Sequence, residues 1–377
     1  MEALSRQEVK HVIEGRGCAW RIPLLYDIWI YENVFDGDLE QMEAWKSRYP
    51  RDVDTVEMIM PGMKQGLPEA PDYCFAIPGM KSEEGHGLDE QGIIKDWENK
   101  EEIEVFYATF PNADAIPRMT QEKKTDGRYL LCRWWFCYFE RLWMLRGMEN
   151  ALTDFYLYPE EIHRLFGKLT EFYMRAMERA KEELDVDGFF VSDDIGTQTG
   201  PFFSVEIFRE FFKPYYKKLF DKAHELGTHF WLHSCGNIKA FLPDLIEIGL
   251  DVIHPIQKNT MDEREIAEEF GDRICIWAGI DVQYLMAFGT PDEVRSEVDY
   301  LIKTYRRKDG RFMLTMGNGS TPDWKIENLE AMYEESLKFL LGRRGVWKEE
   351  EQYGLQDGGK KDDQGGEVSV PDRRGDE

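Results

Sequence analysis

The chain has far fewer basic side chains than acidic ones. Its 377 residues include 47 lysines and arginines against 73 aspartates and glutamates, a formal net charge of −26 at pH 7. Nucleic acids and anionic membrane surfaces are bound by positive patches. The sequence also lacks any uninterrupted apolar run of roughly 18 residues, the length that a membrane-spanning helix needs. We therefore expect no nucleic-acid partner and no membrane partner.

Two further features are missing. Residues 1–17 are charged throughout and have no apolar core of the kind found in secretory signal peptides. The cysteines, at positions 18, 74, 132, 137, 235 and 275, show no spacing typical of a disulfide framework. Both absences predict a reduced, cytoplasmic protein.

What the sequence does have is an alternation of apolar, β-rich segments with amphipathic helices. From about residue 150 onwards the candidate strands are 188–196, 228–236, 251–257, 273–281 and 311–319. Three more lie upstream, at 21–29, 103–110 and 128–136. Near-continuous apolar strands are typical of a parallel sheet covered on both faces. Eight of them separated by helices predict an α/β fold of the (β/α)8 TIM-barrel type. The alternative, an open doubly wound sheet, lacks a G-x-G-x-x-G turn after any strand.

The domain organisation that we predict is one barrel over residues 1–346. Residues 36–100 fit poorly as a barrel repeat, because they are rich in Gly, Pro, Met and charge, and we expect an inserted cap over the barrel mouth. Residues 347–377 are polar and Gly-rich, which predicts a disordered acidic tail. An apolar stripe predicts one long helix from Pro159 to Leu184.

The segment HFWLHSCGN, residues 229–237, ends an apolar strand on a histidine and a cysteine. Because residues i and i+2 of a strand share a face, His233 and Cys235 would project together. Both residue types bind zinc, so the pair could supply two ligands of a catalytic zinc. The alternative is a core histidine beside a small buried thiol.

Acidic and polar residues also end the neighbouring strands, at the face where barrel enzymes build their active sites. Asp193 and Asp194 are adjacent on a strand and point to opposite faces, so we expect one of them to enter the pocket as a base or metal ligand. Helix capping or loop ion pairing is the alternative. His254 and Asp281 end the next strands and are candidate catalytic residues, although Asp281 could simply cap the following loop.

Arg133 lies within an apolar segment and, if buried, needs an anionic partner. That partner could be a carboxylate such as Asp194 or an anion on the substrate. The aromatic residues near the strand ends could belong to the core or line the mouth. The candidate substrate-binding residues on this face are Trp29, Tyr31, Arg133, Gln257 and Asn318.

The phrases FFVSDDIG, HSCGNI and GLDVIHPIQ, within residues 189–257, resemble the uroporphyrinogen decarboxylase superfamily in its corrinoid-dependent methyltransferase branch. The resemblance covers roughly residues 15–345. It implies a TIM barrel that acts on a small methyl donor or acceptor, and it allows for a homodimer. The corrinoid (cobalamin) would be carried by a partner protein, since the chain has no D-x-H-x-x-G phrase.

In that branch zinc is held by an H-x-C pair and by a cysteine near the last strand. His233 and Cys235 match the pair, whereas Asn318 or its neighbours stand where the cysteine is expected. An oxygen ligand from Asp193 or Asp194 would give a harder site, better suited to a methyl ether or amine than to a thiol.

Uroporphyrinogen decarboxylases themselves carry an arginine-rich phrase after the first strand, and here no arginine follows Arg21 in RIPLLYDIWIYENVF. We therefore predict a corrinoid-dependent methyltransferase. Two alternatives stay open: a decarboxylase of a small or tetrapyrrole acid that uses Asp194 and Arg133, and a non-catalytic barrel that binds a corrinoid protein.

Overall fold

The structure is a computed structural model that describes residues 2–26, 28–77, 92–117 and 127–339. The strands in these ranges are β1 (Val53–Glu57), β2 (Gly62–Met63), β3 (Cys74–Phe75), β4 (Tyr129–Trp134), β5 (Gly188–Ser192), β6 (His229–His233), β7 (Val252–His254), β8 (Cys275–Ile280) and β9 (Phe312–Met316). A seven-stranded parallel sheet has the order β1-β4-β5-β6-β7-β8-β9, and β2 pairs separately with β3. Within the seven-stranded sheet, each strand thus lies beside the member of that sheet that follows it along the chain, as in a barrel.

The helices in the same ranges are α1 (Arg6–Ile13), α2 (Leu39–Lys46), α3 (Lys100–Ala108), α4 (Phe139–Arg146), α5 (Met148–Leu157), α6 (Pro159–Leu184), α7 (Val205–Ile207), α8 (Lys213–Glu225), α9 (Leu242–Glu247), α10 (Glu263–Phe270), α11 (Leu285–Phe288), α12 (Pro291–Tyr305) and α13 (Ile326–Lys338). A π-helical turn, Phe208–Phe212, joins α7 to α8. Helix α6 has the bounds predicted from its apolar stripe. None of the described helices is both long enough and apolar enough to cross a bilayer.

The segment around Leu24 closes the sheet between its two edge strands. Leu24 forms a parallel bridge with Leu314 of β9. Its carbonyl oxygen accepts a hydrogen bond from the N–H of Asp52, immediately before β1, at 3.3 Å. With this segment as the eighth member, the chain forms the predicted (β/α)8 barrel.

A buried ion pair holds that closure in place. The Arg21 guanidinium donates to both carboxylate oxygens of Asp52, at 2.6 and 2.5 Å, and both side chains are fully buried. Asp52 also accepts from the backbone N–H groups of Leu4 and Leu24, each at 2.8 Å. Removing one partner of such a buried pair typically costs about 3–5 kcal/mol. The pair therefore fixes where the N-terminal segment meets β1.

The second barrel strand does not lie where the sequence predicted it. Residues 103–110 were expected to form a strand, but most of them lie in α3, whose first turn is capped by the Asn99 side chain. Ile103 and Phe106 are the buried residues of α3, and their spacing of three is helical. The strand prediction for 103–110 was wrong, and β1 occupies that place in the barrel.

The predicted cap, residues 36–100, thus contains one strand of the barrel sheet. It also contains α2 and the β2–β3 pair, while residues 78–91 lie outside the described ranges. A capping role for this segment and the domain boundaries stay predictions. The predicted disordered tail, 347–377, also lies outside the described residues.

Aromatic side chains fill the barrel below its C-terminal rim. Trp29, Trp231 and Trp277 are all buried. The ring centroid of Trp277 lies 5.4 Å from that of Trp231 and 6.0 Å from that of Trp29. Phe190 packs between Trp29 and Trp277, at 6.1 and 5.4 Å. The interior is therefore a packed core, and the space for chemistry lies above these rings.

Asp193 connects the end of β5 to the first turn of α4. Its buried carboxylate accepts from the backbone N–H groups of Tyr138, Phe139 and Glu140, at 3.0, 3.2 and 2.9 Å, and from the Tyr216 hydroxyl at 2.5 Å. Burial raises the pKa of Asp193 to about 6, although these hydrogen bonds oppose the shift. The side chain thus supplies the N-terminal cap that α4 lacks in its own sequence.

We expect Asp193→Asn to lower the free energy of unfolding by about 2–3 kcal/mol, because an amide N–H would face buried N–H or O–H donors. The matched control is Asp194→Asn, since Asp194 is 38% exposed and takes no part in this cap. That variant should stay within about 1 kcal/mol of the wild type. Urea unfolding of both variants checks the expectation, and equal losses would contradict it.

Candidate functional site

Three potential metal ligands meet at the C-terminal end of the barrel. His233 is the last residue of β6, Cys235 lies two residues further, and Asp194 lies two residues after β5. Their ligand atoms all lie within 4.8 Å of one another. His233 is buried, and the other two side chains are partly exposed. We call these three residues the Asp194–His233–Cys235 cluster.

The distances within the cluster suit a shared metal ion. Cys235 Sγ lies 3.4 Å from His233 Nε2, and Asp194 Oδ1 lies 3.5 Å from the same nitrogen. Ligands placed tetrahedrally about zinc at ordinary bond lengths are separated by about 3.5 Å. One nitrogen, one sulfur and one oxygen are also an accepted donor set for zinc, which leaves a fourth position for water or substrate. The residues present therefore fit this metal.

A chain of hydrogen bonds assigns which nitrogen of His233 faces the cluster. His254 Nε2 lies 2.9 Å from the Met316 carbonyl oxygen, and because a carbonyl only accepts, this nitrogen carries the proton. A neutral His254 then accepts at Nδ1, which lies 2.7 Å from Nδ1 of His233. His233 therefore donates from Nδ1, and its Nε2 keeps the lone pair that faces Cys235 and Asp194.

The surroundings keep both imidazoles neutral. Burial lowers the pKa of His254 well below its ordinary value, and the neighbouring His233 lowers it further. Burial also lowers the pKa of His233, although Asp194 opposes this shift. The Trp29 ring stacks on His254 with centroids 4.9 Å apart and an angle of 13° between the planes. Trp29 is therefore a buried support beneath the imidazoles, and its predicted substrate-binding role stays a prediction.

Cys235 is held by two neighbours. Its backbone N–H donates to Asp194 Oδ1 at 2.7 Å, and Asn318 Nδ2 donates to its Sγ at 3.5 Å. Burial raises the pKa of the thiol and Asp194 raises it further, whereas the hydrogen bond from Asn318 lowers it. A cation at the cluster would favour the thiolate and so act in the opposite direction to burial.

Gln257 holds the loop that follows Cys235. Its Oε1 accepts from the Gly236 N–H at 2.6 Å. Gly236 has a φ of +82°, and a Cβ there would lie 2.4 Å from the backbone of Gly196, so only glycine fits. The observed contact of Gln257 is therefore with the ligand loop. Its predicted substrate-binding role, like that of Asn318, stays a prediction.

Arg133 faces the barrel interior and pairs with an acid that was not predicted from the sequence. The adjacent Trp134 packs outward on Tyr173 of α6, with ring centroids 5.6 Å apart, so Arg133 points inward. Its Nη2 lies 2.6 Å from Glu57 Oε2, and its guanidinium carbon lies 5.4 Å from the Trp135 ring. The carboxylate that pairs with Arg133 is therefore Glu57, and not Asp194 as the sequence suggested.

Tyr31 lies at the rim and is 43% exposed. Its ring covers Gly319, where a Cβ would lie 2.7 Å from the tyrosine Cε2 atom. Burial raises the pKa of the Tyr31 hydroxyl, and Arg133 and Glu57 act on it with opposite signs. Tyr31 therefore lies between the Arg133–Glu57 pair and the loop that contains Asn318.

Two of the acids predicted to be catalytic accept hydrogen bonds from backbone N–H groups, as capping residues do. Asp281 Oδ1 accepts from the backbone N–H groups of Gln283 and Tyr284, at 2.9 and 3.1 Å. Asp193 caps α4, as described above. Adjacent acids do point to opposite sides of β5, and Asp194 is the one that reaches the cluster.

Glu140, a buried acid behind the cluster, was not among the residues predicted from the sequence. Its Oε2 accepts from the Ser192 hydroxyl at 2.6 Å. Burial raises the pKa of Glu140 well above its ordinary value, and Asp194 and Asp193 raise it further. The available signal was a charge inside the aromatic run CYFERLW, but nothing in that run indicated which residues lie opposite it in space.

The chain matches curated relatives over part of their length. The uroporphyrinogen decarboxylase of Chlorobium phaeobacteroides is 26% identical over 210 residues, which cover 51% of this chain and 55% of that protein. The uroporphyrinogen decarboxylase of Xanthomonas euvesicatoria pv. vesicatoria is 26% identical over 187 residues, covering 47% and 49%. The chain thus spans about half the length of these two relatives.

Solved structures show weaker likeness. A methyltransferase from Methanosarcina mazei has 16% identity and a TM-score of 0.48, and the match covers 57% of this chain and 60% of that chain. The IOLI protein with a binding zinc atom has 10% identity and a TM-score of 0.38, covering 84% and 98%. At these TM-scores neither likeness carries an argument about activity.

The model of the family described as Uroporphyrinogen decarboxylase (URO-D) matches residues 137–338, more than half of the 377 residues. The matched segment runs from just before α4 to the end of α13 and contains β5 to β9. It therefore includes all three residues of the Asp194–His233–Cys235 cluster. The chain belongs to the uroporphyrinogen decarboxylase (URO-D) family.

Proposed function

We propose that this protein is a cytoplasmic, metal-assisted methyltransferase of a corrinoid-dependent system. It would move a methyl group between a small donor or acceptor and the cobalt of a corrinoid carried by a separate protein. The observation that carries the proposal is the convergence of a nitrogen, a sulfur and an oxygen ligand within 4.8 Å at the open end of the barrel. The motif resemblance supplies the reaction class.

The proposed metal is zinc, held by His233, Cys235 and Asp194. Bound there, zinc would act as a Lewis acid that polarises the leaving group of the methyl donor. The protein's own part is to present ligands in the correct state. His254 keeps the lone pair of His233 Nε2 directed at the cluster, and Asn318 donates to the sulfur of Cys235 at 3.5 Å.

The ligand set favours a donor harder than a thiol. The resemblance implies a second cysteine near the last strand, and this chain has Asn318 there. The Asn318 amide donates a hydrogen bond to Cys235 and cannot bind a metal as a thiolate does. Asp194 supplies the third ligand as an oxygen. Oxygen ligands leave a zinc ion more Lewis-acidic than thiolates do, which suits a methyl ether or methyl amine.

Decarboxylation of a small acid is the second candidate, and both family membership and the inward-facing Arg133 favour it. A tetrapyrrole substrate carries several carboxylates and needs several cations to neutralise them. Arg133 is already paired with Glu57 at 2.6 Å. Release of CO2 without methyl transfer would identify this second function.

We expect the purified protein to bind about one zinc per chain and, with zinc and a methyl ether, to convert cob(I)alamin to methylcobalamin. Cys235→Ser should lower the rate more than about 100-fold, since even outer partners of ligands are worth about 10–100-fold. Zinc analysis measures the metal content, and the absorbance of methylcobalamin measures the rate of transfer. Asp281→Asn is the control, because Asp281 caps a loop and should leave both values unchanged. Absence of transfer with every methyl ether and amine tested would reject the proposal.

The hydrogen bond between the two imidazoles gives a second test. His254→Phe keeps a ring on Trp29 but removes the acceptor for His233 Nδ1–H. We expect this variant to bind zinc about 10–100-fold more weakly, because the His233 ring loses its fixed orientation. Competition with a chromophoric chelator measures the affinity. Unchanged affinity, with normal folding by circular dichroism, would contradict the role assigned to His254.

A further inference from the structure

A cationic side chain on β4, the strand that pairs with β5, faces the barrel mouth and takes no part in the methyl transfer proposed above. Arg133 is 18% exposed, and its guanidinium stacks on Trp135 with 5.4 Å between the carbon and the ring centroid. Within the described part of the chain its carboxylate partner is Glu57, whose Oε2 lies 2.6 Å from Nη2. The buried Nε has no hydrogen-bond partner among the described residues.

This arrangement leaves the Nε–H group of the guanidinium without an acceptor among the described residues. An arginine can hold a carboxylate by two parallel N–H···O bonds, and such bidentate pairs are stronger and more specific than single contacts. Glu57 is 51% exposed, so it can turn into water at small cost. An incoming carboxylate could therefore replace Glu57 on Arg133.

Aromatic rings lie between Arg133 and the proposed ligands. The Trp135 ring lies 5.8 Å from that of Trp29, and the Trp29 ring lies 5.6 Å from that of His233. Two rings thus separate the guanidinium from His233. On the other wall, the half-exposed Tyr31 lies over Gly319, next to Asn318. A flat molecule with its carboxylate at Arg133 would lie between Trp135 and Tyr31, above the buried Trp29, with its far end toward the cluster.

We propose that Arg133 anchors the carboxylate of the methyl donor and that the donor is a methyl ether of a small aromatic acid, an inference that rests on the proposed methyl transfer. Glu57 occupies the guanidinium when no donor is present. This role explains why a strongly acidic protein keeps a cation facing inward at the mouth of its barrel. It also makes Glu57 a competitor of the donor.

The experiment compares the binding of 4-methoxybenzoate with that of 4-methoxybenzamide, which has nearly the same shape but no charge. Isothermal titration calorimetry is run on the full chain loaded with zinc and without any corrinoid protein. We expect the wild type to bind the acid at least about tenfold more tightly than the amide. Arg133→Gln should bring the ratio close to one. Glu57→Gln should tighten the acid several-fold and leave the amide unchanged, because the internal competitor is gone.

Glu57→Gln keeps the test valid if Arg133→Gln fails to fold, since a purely structural ion pair would not improve acid binding when broken. Arg48→Gln is the matched control, because Arg48 forms a surface pair with Glu330, at 2.6 Å and with 53% of the arginine side chain exposed. Equal affinity for acid and amide, no binding of the acid, or no gain in Glu57→Gln would each overturn the anchor. Transfer from uncharged ethers without any acid preference would reject the anchor alone. Acid-selective binding without methyl transfer would reject the proposed function and leave the anchor standing.

Discussion

The candidate site depends on one hydrogen bond, the 2.7 Å contact between the Nδ1 atoms of His233 and His254. Both side chains are buried, and burial keeps both neutral. The Met316 carbonyl oxygen fixes the proton of His254 on Nε2, so His254 can only accept from His233. The same bond therefore decides that His233 offers a lone pair, and not an N–H, to Cys235 and Asp194. With the opposite tautomer the three residues would not suit a cation.

The barrel supplies the rest of the geometry. His233 and His254 end adjacent strands that pair in register, so their rings lie side by side at the same height. The aromatic core beneath them, with Trp29 stacked on His254, leaves the imidazoles little freedom to turn. Asp194 reaches the cluster because Asp193, on the other side of β5, is held by α4 and Tyr216. His233 and Asp194 are thus oriented by elements that contribute no ligand themselves.

The sequence predicted the parts of this arrangement that follow from short-range geometry. Strand alternation placed His233 beside Cys235 and separated Asp193 from Asp194, and alternation of strands with helices indicated the barrel. Contacts between distant segments could not be predicted, because no local pattern in the sequence indicates that Glu57 pairs with Arg133 or Glu140 with Ser192. The strand predicted at residues 103–110 was wrong for a related reason. The segment was predicted as a strand because it is apolar and β-rich, whereas the Asn99 cap and the spacing of Ile103 and Phe106 fit the helix that forms.

The most direct test of the account is the zinc K-edge X-ray absorption spectrum of the zinc-loaded protein. One sulfur at about 2.3 Å, together with nitrogen and oxygen ligands at about 2.0–2.2 Å, is the expected first shell. Cys235→Ser should remove the sulfur component. Two or more sulfur ligands, or a shell of nitrogen and oxygen alone in the wild type, would contradict the claim that His233, Cys235 and Asp194 share one cation.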